Sequence, residues 1–344
     1  IIMDEPTSSL TNKEVDYVSL IMNQLRKEGT AIVYISHKLA EIRRICDRYT
    51  VMKDGSSVCS GIVSDVSNDD IVRLMVGREL QNRFNAMKEN VSNLAHETVF
   101  EVRNVTSRDR KKVRDISFSV CRGEILGFAG LVGSGRTELM NCLFGVDKRA
   151  GGEIRLNGKD ISPRSPLDAV KKGMAYITES RRDNGFFPNF SIAQNMAISR
   201  SLKDGGYKGA MGLFHEVDEQ RTAENQRELL ALKCHSVNQN ITELSGGNQQ
   251  KVLISKWLCC CPEVIIFDEP TRGIDVGAKA EIYKVMRQLA DDGKVILMVS
   301  SELPEIITVC DRIAVFCEGR LTQILTNRDD MSEEEIMAWA LPQE

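Results

Sequence analysis

Val264-Ile-Ile-Phe-Asp-Glu-Pro-Thr271 is the stretch from which the fold of this chain can be read. Four apolar residues in a row predict a strand buried on both faces, as in the interior of a parallel sheet. Asp268 and Glu269 follow at the C-terminal end of that strand, the edge at which open α/β sheets bind ligands, and Pro270 ends it. An acidic pair there suits nucleotide chemistry: Asp268 would hold Mg²⁺ on a phosphate, and Glu269 would polarise an attacking water. The same letters also suit a buried strand that runs into a solvated turn.

The chain opens with the same stretch, Ile1-Ile-Met-Asp-Glu-Pro-Thr7, so that Asp4 and Glu5 stand 264 positions before Asp268 and Glu269. The register holds for about fifty residues: Cys46-Asp-Arg48 falls on Cys310-Asp-Arg312, and Asp54-Gly55 on Glu318-Gly319. A repeat of this length predicts two copies of one domain. The second copy has about 170 residues ahead of its acidic strand and the first has almost none. Residues 1–80 are therefore expected to be the C-terminal part of a first domain, and the chain a fragment.

Composition narrows the class. With 42% hydrophobic and 27% charged residues, the chain has the makings of a globular core. A net charge of −4 argues against a general attraction to nucleic acid or anionic lipid. No apolar run approaches the roughly eighteen residues of a membrane span. Ten cysteines are scattered without C-x-x-C spacing, which argues against zinc or disulfide frameworks.

Taken in order, helical spacing (Val15, Val18, Ile21, Met22, Leu25) predicts a helix over 12–28, and Ala31 to Ile35 reads as a buried strand. A helix from Leu39 to Ile45 and a hairpin around Asp54-Gly55 follow. Residues 79–98 are polar and Asn-rich, and 81–98 are assigned as a linker. The second copy begins near Val99 with alternating strands at 99–103 and 116–120, and the charged turn Arg108 to Arg114 between them is expected to be solvated. A strand over 124–129 then runs into Gly130-Leu131-Val132-Gly133-Ser134-Gly135-Arg136-Thr137 and a helix over 138–144. Strand, glycine loop, helix is the context a phosphate-binding loop requires. Its backbone N–H groups point inward, and the helix N-terminus adds partial positive charge. Thr137 would offer a hydroxyl to Mg²⁺, while Arg136 stands where the pattern has lysine. Further on, Leu244-Ser245-Gly246-Gly247-Asn248-Gln249-Gln250 opens an apolar helix, with Ser245 the expected N-cap and two glycines baring the first amides.

A glycine phosphate loop, then LSGGNQQ, then an acidic strand that occurs twice, resembles the ABC-type ATPases, and in particular the fused double-ATPase subunits of bacterial importers for sugars of the ribose/galactose type. The resemblance covers the whole chain. It implies a P-loop NTPase of ABC type, α/β, with a mixed sheet core and a helical subdomain over about 180–262. One complete copy (99–344) would follow the C-terminal part of another. Over Ile1 to Val33 and Arg312 to Glu344 the likeness is to members that import D-allose, so D-allose or a similar aldose is the expected cargo.

By the same resemblance, Gly130 to Thr137 is the Walker A loop, and Asp268-Glu269 is the Walker B aspartate with its catalytic glutamate. Asp4-Glu5 is the same pair in the first copy. Leu244, Ser245, Gly246, Gly247, Asn248 and Gln249 belong to the signature that reaches across a head-to-tail interface to a second nucleotide. Asp275 lies in the D-loop, whose first-copy counterpart, Ser9-Leu-Thr11, has lost the aspartate. Tyr176 to Glu179 stands at the Q-loop, with Glu179 in place of glutamine. His37 is the switch histidine of the first copy, and Ser301 occupies its place in the second. No aromatic for stacking adenine stands near 106–113. ATP and Mg²⁺ are the implied substrate and metal. The implied partners are membrane permease subunits and, through them, a periplasmic sugar-binding protein, at the cytoplasmic face of the inner membrane, with two full-length subunits or one double-ATPase pairing per transporter. The patch of Arg181, Arg182, Phe186, Phe187 and Phe190 is the expected permease-docking surface.

These departures sort by site. The site built from Asp4, Glu5, His37 and the signature keeps every expected residue type. The site built on Gly130–Thr137, Asp268, Glu269 and Ser301 has Arg for Lys, Ser for His and Glu for Gln, and suits holding nucleotide more than turning it over. Two other readings fit parts of the chain: a tandem ABC protein acting on ribosomes, and a regulatory module that binds ATP without hydrolysis. The first calls for a long charged helical linker and a basic surface, which residues 79–98 and the net charge do not supply. The second agrees with Arg136 and Ser301 but not with Glu5, His37 and Glu269.

Overall fold

A computed structural model describes the chain except at residues 5, 8–11, 37–38, 54–55, 68–69, 72–96, 205–215, 329 and 343–344. Glu5, His37, Ser9 to Thr11, the Asp54-Gly55 turn and nearly all of the 81–98 linker thus lie outside the described residues. Two compact units are present: residues 1–88 with 273–280, and residues 89–272 with 281–344.

The described elements begin with β1 (Ile2–Asp4), α1 (Asn12–Lys27), β2 (Val33–Ile35), α2 (Leu39–Ile45), β3 (Arg48–Lys53) and β4 (Ser56–Ile62). There follow β5 (Thr98–Ser107), β6 (Ile116–Cys121), β7 (Ile125–Gly130), α3 (Arg136–Phe144), β8 (Arg149–Leu156), β9 (Lys159–Asp160), α4 (Pro166–Lys171) and β10 (Met174–Ile177). A π-helical turn, Arg181–Gly185, leads to α5 (Ile192–Asp204), α6 (Glu216–Leu229) and α7 (Gly246–Leu258). The chain closes with β11 (Val264–Asp268), α8 (Val276–Asp291), β12 (Val295–Val299), α9 (Leu303–Val309), β13 (Arg312–Cys317), β14 (Arg320–Thr326) and α10 (Glu333–Ala340).

In the second unit the central sheet runs β10-β11-β12-β7-β13-β14. Its first five strands are parallel, and β14 returns antiparallel to β13 at the edge. Every residue of β10, β11 and β12 is buried, which is why those strands read as unbroken apolar runs. An antiparallel sheet β6-β5-β8-β9 shares the core through Phe100, Phe118, Phe128 and Phe316. Their ring centroids are spaced 6.5, 5.4 and 5.9 Å along the row, tilted or edge-on. Local signals set the helix starts. Ser165 caps α4 by accepting from Asp168 N, with Pro166 in the first turn, and Ser332 caps α10 by accepting from Glu335 N. A separate apolar cluster around Phe186, Ile192, Met196, Ile241 and Val252 forms the core of the helical region.

The internal repeat persists in three dimensions. At an offset of 264, the bounds of α1 fall on those of α8, α2 on α9, β3 on β13 and β4 on β14. Met3 faces Tyr34 across β1–β2 as Phe267 faces Met298 across β11–β12. The antiparallel pairs even share a bulge, between Val51 and Met52 in one and Val315 and Phe316 in the other.

Four expectations are corrected. The strand expected to be buried at 31–35, which pairs with the opening strand, is not buried on both faces. The described part of their sheet has two strands, and Ile2 and Val33 remain 75% and 57% exposed. Ile21 of α1 also faces outward, while Val15 and Met22 are buried. The 108–114 turn is not merely solvated: Val113 is fully buried and Asp109 Oδ1 accepts from Ser107 Oγ and from the amides of Lys111 and Lys112. Its carbonyls press against the glycine loop. The aromatic patch is split, because Phe186 belongs to the helical core. Phe187 and Phe190 stay exposed and stack on each other at 5.1 Å.

Candidate functional site

The loop after β7 is shaped by its glycines. Gly133 has φ +82 and open space where a Cβ would project, leaving a concavity of backbone amides at the N-terminus of α3. Gly135 has φ +106, and a Cβ there would lie 2.2 Å from the Lys112 carbonyl oxygen. Gly319 N donates to Ser134 O and Arg114 N to Gly319 O, both at 2.8 Å, so the β13–β14 turn and the 108–114 turn brace the loop. Ser134 Oγ is buried beneath the loop without a hydrogen-bond partner.

Across from the loop, β11 delivers Asp268. Thr137 Oγ1 donates to Asp268 Oδ1 at 3.2 Å, and the Tyr176 hydroxyl donates to Asp268 Oδ2 at 2.8 Å. Burial raises the Asp268 carboxyl above the usual range, and the two hydroxyls and Arg136 oppose that shift. Thr137 and Asp268 thus meet although 131 positions separate them. Tyr176 was visible in the sequence only as part of the Q-loop stretch. Its role as partner of Asp268 follows from β10 lying beside β11 in the sheet.

Arg136 is turned inward, 7% exposed, with Nη1 donating to Ser300 O at 2.5 Å and to Phe128 O at 3.5 Å. Its guanidinium ties the ends of β7 and β12 together, and desolvation lowers its pKa. Glu269 adopts a left-handed backbone, φ +50, with its amide donating to Val299 O at 2.9 Å. Ser301 Oγ donates to Glu269 Oε2 at 3.1 Å, and burial raises the Glu269 carboxyl. A non-glycine residue in that conformation costs on the order of 1–3 kcal/mol, a kind of strain that clusters at functional sites.

The signature segment opens α7, with a correction to its cap. Ser245 occupies the N-cap position, but its hydroxyl accepts from Asn248 Nδ2 at 2.9 Å and not from a helix amide. Gln249 is buried and donates to Leu244 O at 3.1 Å, and Gly246 and Gly247 form the first turn. Among the described residues no hydrogen bond joins Leu244–Gln249 to Gly130–Thr137. Glu179 pairs with Arg272, while Arg181 donates to Gly246 O at 2.7 Å and Arg272 O at 3.2 Å, so Arg181 faces inward and only part of the basic patch is surface. Asp275 Oδ1 accepts from Ala278 N at 2.9 Å as α8 begins, and Asp4 is exposed at the end of β1.

A family model described as ABC transporter matches residues 113–272. Over all 344 residues the chain is 99% identical to the D-allose import ATP-binding protein of Escherichia coli (strain K12), spanning 68% of that protein. The chain belongs to the ABC transporter family. Among other ABC relatives, a ribose import ATP-binding protein of Bacillus cereus is 44% identical over 342 residues, with 99% of this chain and 67% of that protein covered. Of solved ABC cassettes, a nucleotide-free ATP-binding cassette superposes with a TM-score of 0.61 at 21% identity, covering 72% of this chain and all of that one. The cassette MJ0796 bound to ADP and Pi gives 0.57 at 20% identity, over 67% and 99% of the two chains. The ABC fold expected from the sequence, a mixed sheet with a helical region, is the fold observed.

Proposed function

We propose that this chain carries ATP-binding machinery that powers import of a monosaccharide, D-allose or a similar aldose, through an ABC transporter. The observation that carries the reading is the convergence of Thr137, Asp268 and Tyr176 opposite an open glycine loop, in a chain near-identical throughout to a D-allose import ATP-binding protein. Residues 1–80 are assigned to the C-terminal part of a first ATPase domain, 81–98 to a linker and 99–344 to a second domain, with its helical subdomain at about 180–262.

ATP is the substrate, its phosphates seated on the amides of Gly130 to Thr137. Thr137 and Asp268 would hold Mg²⁺, as Asp4 would in the first copy. Their hydroxyl and carboxylate oxygens are the hard donors that ion prefers, and water and phosphate oxygens normally complete its shell. Bound there, the metal neutralises charge on the phosphate oxygens. Glu269 and Glu5 orient the attacking water, and His37 supplies an imidazole that Ser301 does not. In the structure the Ser301 hydroxyl is directed at Glu269.

One site is served by Asp4, Glu5 and His37 of the first copy, and the signature Leu244 to Gln249 serves a nucleotide other than the one on Gly130–Thr137. The other uses Gly130–Thr137, Glu179, Asp268, Glu269 and Ser301, and holds nucleotide more than it hydrolyses it. Asp275 belongs to the D-loop. Arg136, engaged on two carbonyls, braces the strand ends and leaves the loop without a lysine point charge. The subunit sits peripherally on the cytoplasmic face of the inner membrane, against permease subunits that receive sugar from a periplasmic binding protein. The exposed Phe187–Phe190 pair suits contact with a permease helix. The test is ATP hydrolysis and sugar uptake by the full-length subunit reconstituted with its permease. Glu5→Gln abolishes both and Glu269→Gln reduces them far less. Equal inactivity of the two variants overturns the asymmetry.

A further inference from the structure

We propose that Glu41 and Glu305 are positioning residues, buried carboxylates that pin the turn after each acidic strand to the end of the neighbouring strand and so set the geometry of the hydrolytic groups beside them. Glu305 is 5% exposed. Its carboxylate accepts from Thr271 Oγ1 at 2.7 and 2.8 Å and from Ser300 Oγ at 2.9 Å. Glu41 is 8% exposed and accepts from Thr7 Oγ1 at 2.6 Å, Tyr34 OH at 2.7 Å and Ser36 Oγ at 3.4 Å. Thr7, Ser36 and Glu41 stand 264 positions before Thr271, Ser300 and Glu305. Within each unit, one carboxylate therefore collects hydroxyls from the same two strand ends.

The two copies have diverged around this arrangement without losing it. His37 of the first copy is Ser301 in the second, yet the serine before each and the threonine after each acidic pair remain. The tyrosine hydroxyl has moved. Tyr34 of β2 has Met298 as its counterpart in β12, but Tyr283 of α8 also hydrogen-bonds Glu305, and Ser19 stands at its matching place in α1. What is kept is a buried carboxylate that accepts from hydroxyls of both strand ends, and a buried charge needs such partners.

The consequence is local. Thr7 and Thr271 lie two residues after Glu5 and Glu269, and Ser36 and Ser300 lie directly before His37 and Ser301. Ser300 is held twice: its hydroxyl donates to Glu305 and its carbonyl accepts from Arg136. The hydroxyls from both strand ends converge on one oxygen, Oε2, of each glutamate, so glutamine substitutes a neutral and weaker acceptor for the charged one and loosens both strand ends.

The inference rests on the reading that hydrolysis is concentrated at Glu5 and His37. It is tested in the full-length subunit with its permease by steady-state ATPase kinetics and by release of fluorescent ATP analogue. Glu41→Gln lowers kcat by about 10–100-fold, the usual cost of removing a group that orients a reacting one, with KM little changed. Glu305→Gln acts on the second site and speeds release of the analogue. Wild-type kcat in a folded Glu41→Gln protein, while Glu5→Gln is inactive, overturns the proposal, as does a loss confined to KM. Should Glu41→Gln not fold, Ser36→Ala removes one donor and must also lower kcat at unchanged KM; wild-type kcat there overturns it equally. If Glu269→Gln is as inactive as Glu5→Gln, the asymmetry falls and not the positioning role. That role then demands comparable kcat losses from Glu41→Gln and Glu305→Gln, and their absence overturns it.

Discussion

Replacing Tyr176 by phenylalanine isolates the contact that keeps Asp268 ready for a metal. The hydroxyl lies 2.8 Å from Asp268 Oδ2, and the two residues are 4% and 1% exposed. A hydrogen bond to a charged group is worth about 1.5–3 kcal/mol, and water cannot replace it at such depth. Burial already favours the protonated carboxyl. Losing the donor acts in the same direction, so Asp268 gains its proton at a higher pH in Tyr176→Phe than in the wild type. A protonated carboxyl is a poor ligand for Mg²⁺, so the cost falls on metal-dependent nucleotide binding and grows as pH falls. At about 1.4 kcal/mol per tenfold, the variant should bind nucleotide with Mg²⁺ some ten-fold more weakly once the pH is low enough to protonate its Asp268, and should converge on the wild type as pH rises. Isothermal titration with ATP, in Mg²⁺ and in EDTA, measures this directly. Affinities equal to the wild type across the whole pH series, or an equal loss in EDTA, would refute the argument.

Three further outcomes are expected. Gly135→Ala should disrupt the loop far more than Gly133→Ala: both carry the left-handed cost of about 1–2 kcal/mol, but only Gly135 adds an overlap with the Lys112 carbonyl; thermal melting and nucleotide affinity should rank them so. Asp311→Asn should cost about 3–5 kcal/mol, because buried Asp311 receives Arg287 and Ile125 N, whereas its repeat counterpart Asp47, whose exposed partner is Arg26 and not the Asn23 that matches Arg287, should lose under about 1 kcal/mol on Asp47→Asn by denaturant titration. Lys256, buried against Gly185 O and the Trp257 ring, has its pKa lowered to about 8 by desolvation; the unfolded chain then binds more protons between about 8 and 10.5, so stability gains from Lys256 as pH rises through that window, and Lys256→Met should remove this contribution in a stability–pH profile.

The apolar run of Val264 to Phe267 could be read as a buried strand because its burial on both faces leaves no polar position to obscure the pattern. The glycine loop and the 264-residue repeat were equally plain, since each is a local spacing of residue types. What the letters withheld were relations between distant segments. Phe186 and Phe187 are adjacent and alike, yet one lies in the helical core and the other is exposed, a choice made by packing against Ile192 and Val252. The charged turn at 108–114 gave no sign that its carbonyls would lean on Gly135, because that contact depends on how two sheets meet. Ser245 has the letter and the place of a helix cap, and Asn248 diverts its hydroxyl. Tyr176 finds Asp268 only because β10 pairs with β11, and Tyr283 replaces Tyr34 on a buried glutamate from a different element. Period and spacing are properties of neighbours in the chain and are fixed by the sequence alone. Which hydroxyl satisfies which buried charge depends on neighbours in space, and those exist only once the sheet has formed.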